Sequence, residues 1–513
     1  MTEQHNFTAN QKDYAVFLPA ISSFYANYVG RQRTENYIDA SRMPAGIPDM
    51  EQLNWLNPQK GLFPYRYSLY SAGHADLDLT KFVPKEDMVR NRDPNIIMLA
   101  DSGGFQIAKG VWEGDWKANS GCPKAQKKRE AVLAWQDGIA TYGLTLDIPT
   151  WTCHWPGSNV KTGIYSYKDA VNATIYNNEY FIANRKGVEN GGAKILNVLQ
   201  GANHKEADDW YDIMKHYCDP KKYPGRHFNG WGMGGQNMCD LHLVLNRMVH
   251  LIHDGLLESG VHDWMHFLGT SKLEWAVLLT AIQRSVRKYH NPTFTISFDC
   301  ASPFLATANG QLYHNITTDN RSKWSYQMSP TADDKKYAND SRLFGDAVRN
   351  DNIHPYFEDS PISKRLKISD VCHYAPGMLN KIGKEGRTSW DSFSYALLMG
   401  HNVWTHIEAV QQANRVFDNG ASAPDMLVHP TNHELDVAKV IDKIFAANDR
   451  QKSLDIIENH AKIWERVIGT RGLSGKKSTN AHTQYNNLFE VNDDIPEQEF
   501  DEAPLDNLEN SVE

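Results

Sequence analysis

The chain of 513 residues contains no apolar run approaching the roughly 18 residues needed to span a bilayer. Its first residues, MTEQHNFTANQKDYAVF, lack the basic segment and apolar stretch of a secretory signal. These two absences predict a protein that stays in the cytoplasm of the cell that makes it, a host cell included, without membrane contact. Cysteine is scarce. The six residues at 122, 153, 218, 239, 300 and 372 make no disulfide framework and fit a reducing compartment. Internal repeats are not evident. Lys and Arg are missing altogether after Lys477, whereas the stretch from Glu490 to Glu513 is rich in Asp and Glu, so residues 478–513 read as a solvated, disordered acidic tail. That tail accounts for the net charge of −9 and leaves the remainder about neutral. The acidic balance therefore does not exclude a nucleic-acid enzyme. Lys124 to Arg129 and Lys335 to Lys336 are either basic patches or ordinary solvated faces.

Six short apolar runs are present, each ending in a polar or glycine cluster: NIIMLAD at Asp101, YGLTLD at Asp147, KILNVLQG at Gln200, FNGWGMGG through Gly235, MHFLGT at Thr270 and TFTISFD at Asp299. They read as buried parallel strands. Between the later ones, Ala202 to Cys218, Gln236 to Ser259 and Lys272 to His290 carry apolar residues at three- and four-residue spacing, the period of amphipathic helices. The alternation predicts an α/β fold, either a (β/α)8 TIM barrel or a doubly wound sheet. In a barrel the carboxyl ends of the strands share one face, so Asp101, Asp147, Gln200, Gly234 and Asp299 would line one pocket. Residues 1–90 are expected to be an N-terminal extension and the start of the barrel. Residues 91–470 would be the barrel proper.

DSGGFQ, an aspartate strand end, LQG, GWGMGG, FLGT, then FDCASP followed by NGQLY occur in that order. The ordered set, spanning about Ile96 to Val416, resembles the tRNA-guanine transglycosylase superfamily, whose barrel enzymes exchange a guanine for a 7-deazaguanine. Breaking an N-glycosidic bond calls for a carboxylate that traps the sugar and a second that moves protons. The resemblance implies Asp299 as the nucleophile at the sugar C1′ and Asp101 as the general acid/base. Taken singly, an Asp at a strand end is more often a helix cap or turn residue. For the base, Asp147 would accept from the N1 and exocyclic amine edge. Gln200 and the backbone of Gly230 to Gly235, with Gly230 and Gly234 admitting close approach, would donate to O6. Phe105 and Leu268 would stack on the two base faces, and Ser102 would help form the turn that brings Asp101 and Phe105 to the pocket.

Three departures from the tRNA enzymes stand out. Leu305 and Ala308 occupy positions where those enzymes carry arginines that contact the anticodon loop. Gly235 replaces a glutamate that selects an aminomethyl-bearing base, which suits a neutral substituent such as the nitrile of preQ0. The zinc site is broken, with Asp370, Cys372 and Ala375 at its three cysteine positions. Within the metal-site-like stretch 365–415, either zinc is held by Asp370, Cys372, His401 and His406, with His373 as a spare ligand, or Cys372 is a buried thiol and the histidines are ordinary helix residues. No organic cofactor is implied. These departures resemble the bacteriophage and bacterial branch that inserts 7-deazaguanines into DNA. The expected partners are DNA and a free 7-deazaguanine base. The alternatives are a tRNA-guanine transglycosylase of the queuosine or archaeosine pathway and a barrel glycoside hydrolase using the same two aspartates. A DNA base must be flipped out or already single-stranded, and Trp112, Trp116, Trp151, Trp155 and Trp324 are either stacking residues for it or core.

Overall fold

A computed structural model describes residues 7–31, 40–155, 157–318, 324–330, 335–373, 390–432 and 435–467. Eight parallel strands form one sheet: β1 (Val16–Pro19), β2 (Tyr67–Ser71), β3 (Ile97–Asp101), β4 (Tyr142–Leu144), β5 (Lys194–Leu199), β6 (Gly230–Met233), β7 (Trp264–Phe267) and β8 (Thr295–Cys300). Each strand from β2 to β8 pairs with its sequence neighbour, and β1 pairs with β8. A parallel bridge from Ala20 to Leu69 joins the remaining edge, with the Ile21 N–H donating to the Leu69 carbonyl at 3.0 Å. The sheet is thus a nearly closed (β/α)8 barrel, and the doubly wound alternative falls away.

The strand sequences explain the closure. Side chains alternate between two apolar environments, which is why the runs look continuous in sequence. Met98, Ala100, Met265, Phe267, Ile296 and Phe298 face the surrounding helices. Leu18, Leu69, Leu99, Leu144, Leu196, Val198 and Trp264 pack together as a second cluster in the lumen. The intervening helices include Tyr167–Asn184, His204–Met214, Leu241–His253 and Leu273–Tyr289. Ser166, Asn203 and Asp240 cap the first three, each side chain accepting a backbone N–H three residues on. The expected amphipathic stretches match these helices closely, with the residues before Leu241 forming a short 3₁₀ turn instead.

The helix that follows β8 in the barrel arrives late. The described residues after β8 first form a short helix Ser302–Ala308 and an antiparallel hairpin, β9 (Gln311–Thr317) and β10 (Ser325–Pro330). Helix Ser392–Asp418 then packs beside Leu273–Tyr289 and over β1, where the His406 ring stacks on Phe17 at 4.3 Å. The N-terminal helix Phe7–Gln11 docks on it through a bond from Gln411 Nε2 to the Phe7 carbonyl. No helix among the described residues is long and apolar enough to cross a membrane. The acidic tail and Ala375 lie outside the described residues.

Candidate active site

Strand ends set the site. Ser71 on β2, Asp101 on β3, Asp147 beyond β4, Gln200 beyond β5, Leu268 and Gly269 beyond β7 and Asp299 on β8 all line one pocket at the carboxyl end of the barrel. Phe105, Gln106, Trp151, Phe304 and Leu305 complete its wall. Asp101 and Asp299 thus meet in one cavity although nearly two hundred residues of chain separate them.

Each carboxylate is held differently. Ser71, in register with Asp101 across the strand pair, donates its hydroxyl to Asp101 Oδ2 at 2.6 Å, and the Gly103 N–H reaches the same oxygen at 3.3 Å. Burial raises the Asp101 pKa; the Ser71 bond opposes this and the Asp299 charge reinforces it. Asp101 therefore retains a proton at higher pH than an ordinary carboxyl, as a general acid requires. Asp299 Oδ1 accepts from the Gly269 N–H at 2.9 Å and lies 3.1 Å from His266 Nε2. Its side chain keeps a small solvent-exposed face, 13 % of its area.

Asp147 forms the floor. Its Oδ2 accepts from Gln200 Nε2 at 2.8 Å, and burial, opposed by that bond and aided by the Asp101 charge, raises its pKa to about 7. The close approach depends on Gly104, where a Cβ would stand 2.6 Å from the Asp147 carbonyl oxygen. An ionised Asp147 accepts two donors from a guanine-like edge, whereas the protonated form presents a donor to a donor. If Asp147 receives such an edge, base affinity should fall about tenfold per pH unit below about pH 7 and level off above it. Calorimetric titration with guanine between about pH 5.5 and 8.5 checks this, and Asp147→Asn should weaken binding and flatten the pH dependence.

Several expected residues fall elsewhere. Gly230 opens β6, at the end of the strand away from the pocket, and packs on Trp264 and Leu196. Ser102 is buried in the turn after β3 and does not line the cavity. Gly234 backs the Gln200 amide rather than the cavity, its missing Cβ lying 2.8 Å from Nε2. Gln200 does line the cavity, where it donates to Asp147, and its Oε1 is buried without a partner among the described residues. Gly235 adopts φ +55°, and a Cβ there would lie 2.5 Å from the Gly201 carbonyl oxygen. The loop geometry thus has no room for a glutamate at that position. Phe105 and Leu268 do line the cavity, and Phe105 meets Trp151 edge-on at 5.7 Å.

The tryptophans divide. Trp116 and Trp324 are core residues. Trp151 lines the pocket and contacts Trp155 at 5.4 Å, while Lys109 lies over both Phe105 and Trp155. Lys128 covers the Trp112 ring, but Arg129 is buried against Asn177 and Tyr176. Trp112, Trp155 and Lys109 are half-buried and lie beside Gly103, Trp151 and Phe105 respectively.

The four zinc candidates do not converge, and among the described residues no group of three or more His, Cys, Asp or Glu side chains could hold a metal. His401 Nε2 lies 2.8 Å from the Tyr313 carbonyl, which can only accept, so Nδ1 accepts from the Ser360 hydroxyl at 2.9 Å. No lone pair of that ring remains for a metal. Burial lowers the His401 pKa to about 4 and that of His406 to about 3, keeping both neutral. His406 Nε2 instead meets the Tyr326 hydroxyl at 2.9 Å, and Asp370 caps its own turn by accepting the Lys367 N–H. Cys372 is fully buried. Asn402 binds Pro303, Thr307, Gln311 and Tyr313, so the His401–Asn402 pair fastens the hairpin to the last barrel helix. In this arrangement these residues do not fit a zinc ion.

No protein-family model and no curated protein matches the chain. Sequence reasoning missed Ser71, Gln106, His266 and Gly269. Gln106 ends the DSGGFQ segment and was available as a signal. Ser71 sits on a strand with no long apolar run, and His266 interrupts one.

Proposed function

We propose that this protein is a glycosyltransferase that exchanges guanine in DNA for a 7-deazaguanine base such as preQ0. The observation that carries the reading is the convergence of Asp101 and Asp299 over the Asp147–Gln200 floor in one barrel-end pocket. Asp299 attacks C1′ as the bond to the guanine ring nitrogen breaks, and Asp101 delivers its proton to the departing base. The incoming base returns a proton to Asp101, its ring nitrogen attacks C1′, and Asp299 leaves as carboxylate. Atoms and charge balance over the two halves. A glycoside hydrolase would make poor use of a floor that, on this reading, receives the donor edge of a purine.

The choice of DNA rests on the wall and rim. Leu305 lies buried in the pocket wall, where the tRNA enzymes carry an arginine by the resemblance above. The rim of Phe105, Trp151, Trp155 and Lys109 suits stacking of an extruded base and contact with its phosphate. Labelled guanine should be released from DNA in exchange for unlabelled base, faster from single strands, and exchange should weaken with salt. Exchange on tRNA at equal guanine content should be negligible. Labelling of tRNA with DNA ignored would overturn the DNA assignment and leave base exchange standing.

A further inference from the structure

The barrel lumen beneath Asp299 holds a polar chain that the mechanism above does not use. Trp264, His266 and Ser297 point inward from β7 and β8, and His266 and Ser297 are fully buried. Trp264 Nε1 lies 2.7 Å from Ser297 Oγ, Ser297 Oγ lies 2.9 Å from His266 Nδ1, and His266 Nε2 lies 3.1 Å from Asp299 Oδ1. The indole can only donate, so it occupies a lone pair of Ser297. An ionised Asp299 can only accept, so a ring proton sits on Nε2 facing it, and in the neutral ring Nδ1 then accepts the serine hydrogen.

We infer that Trp264, Ser297 and His266 form a positioning relay that fixes His266 as the neutral Nε2–H tautomer and, together with the Gly269 N–H, commits Asp299 Oδ1 so that Oδ2 is the attacking oxygen. Among the described residues none donates to Oδ2, and Asp299 opens onto the pocket. This inference rests on base exchange through an aspartyl–sugar ester. When Oδ2 bonds to C1′, Oδ1 becomes the ester carbonyl oxygen, a weaker acceptor than a carboxylate oxygen. The two donors therefore favour return of the carboxylate, which is the step that hands the sugar to the incoming base. His266 never touches substrate. It acts through Asp299.

The relay has two independent readouts. In ¹⁵N-histidine-labelled protein, with His266 assigned by loss of its signals in His266→Gln, Nε2 should carry the proton and Nδ1 should not. An imidazolium or an Nδ1–H tautomer would overturn the relay whatever the substrate proves to be. In steady-state exchange, Ser297→Ala and His266→Phe should lower kcat by about 10- to 100-fold with base KM little changed. At the same time the fraction of enzyme trapped as denaturant-stable sugar adduct should rise. His266→Gln, which can still donate, should recover part of the loss. A damaged pocket would lower adduct and turnover together, and that result, or an unchanged kcat in Ser297→Ala, rejects the proposal. If the wild-type protein exchanges no base on any polynucleotide, the transglycosylase reading fails while the tautomer measurement still decides the relay.

Discussion

Asp299→Asn is expected to abolish base exchange while leaving the barrel folded. The carboxylate is the group proposed to bond to C1′, and an amide neither attacks as an anion nor leaves as one. Structural loss should be small, because the amide oxygen introduced by the substitution can still accept from Gly269 and His266, the only donors to Asp299 among the described residues. Denaturant-resistant adduct, visible as polynucleotide migrating with the protein, should vanish with activity. Retention of more than a few per cent of exchange would show that another group carries the sugar.

Asp101→Asn should slow exchange by roughly 10²- to 10⁴-fold, the range for losing a positioned general acid. Here adduct formation should be impaired more with guanine than with a base analogue that departs without a proton. Such a leaving group needs no acid, so the two substrates together separate proton transfer from a merely displaced side chain. The neighbouring Asp147 would also lose the repulsion that Asp101 imposes, moving its titration downward. Equal loss with both substrates would reduce Asp101 to a turn residue bonded to Ser71.

The barrel was largely legible because parallel strands buried on both faces leave apolar runs, and six of the eight announced themselves that way. β1 and β2 did not. VFLP is four residues ending in proline, and YSLYS carries serine at two of its five positions, so neither outweighs the loops around it. The run YGLTLD extended past its strand, since pairing stops at Leu144 and Asp147 stands on the departing loop. At the site, the three aspartates were readable from motif order. Their partners were not: Ser71 meets Asp101 across a strand pair with thirty residues between them, and the His266 to Ser297 bond depends on two strands turning the same faces inward. Lumen polarity looks in sequence like noise within an apolar run. The His401–Asn402 pair shows the reverse hazard, since residues that the resemblance assigns to a metal site act in the structure as a staple between hairpin and helix.

The late arrival of helix Ser392–Asp418 constrains how the chain can be made. β8, the pairing partner of β1, leaves the ribosome some 280 residues after it, and the helix that covers the outer face of β1 about a hundred residues after that. At roughly 5–20 residues per second, the first strand waits on the order of half a minute with an unsatisfied edge and an uncovered apolar face. Fragments ending before residue 418 would keep that face bare, and a pulse-chase with a chaperone trap should find them captured while the full chain is released.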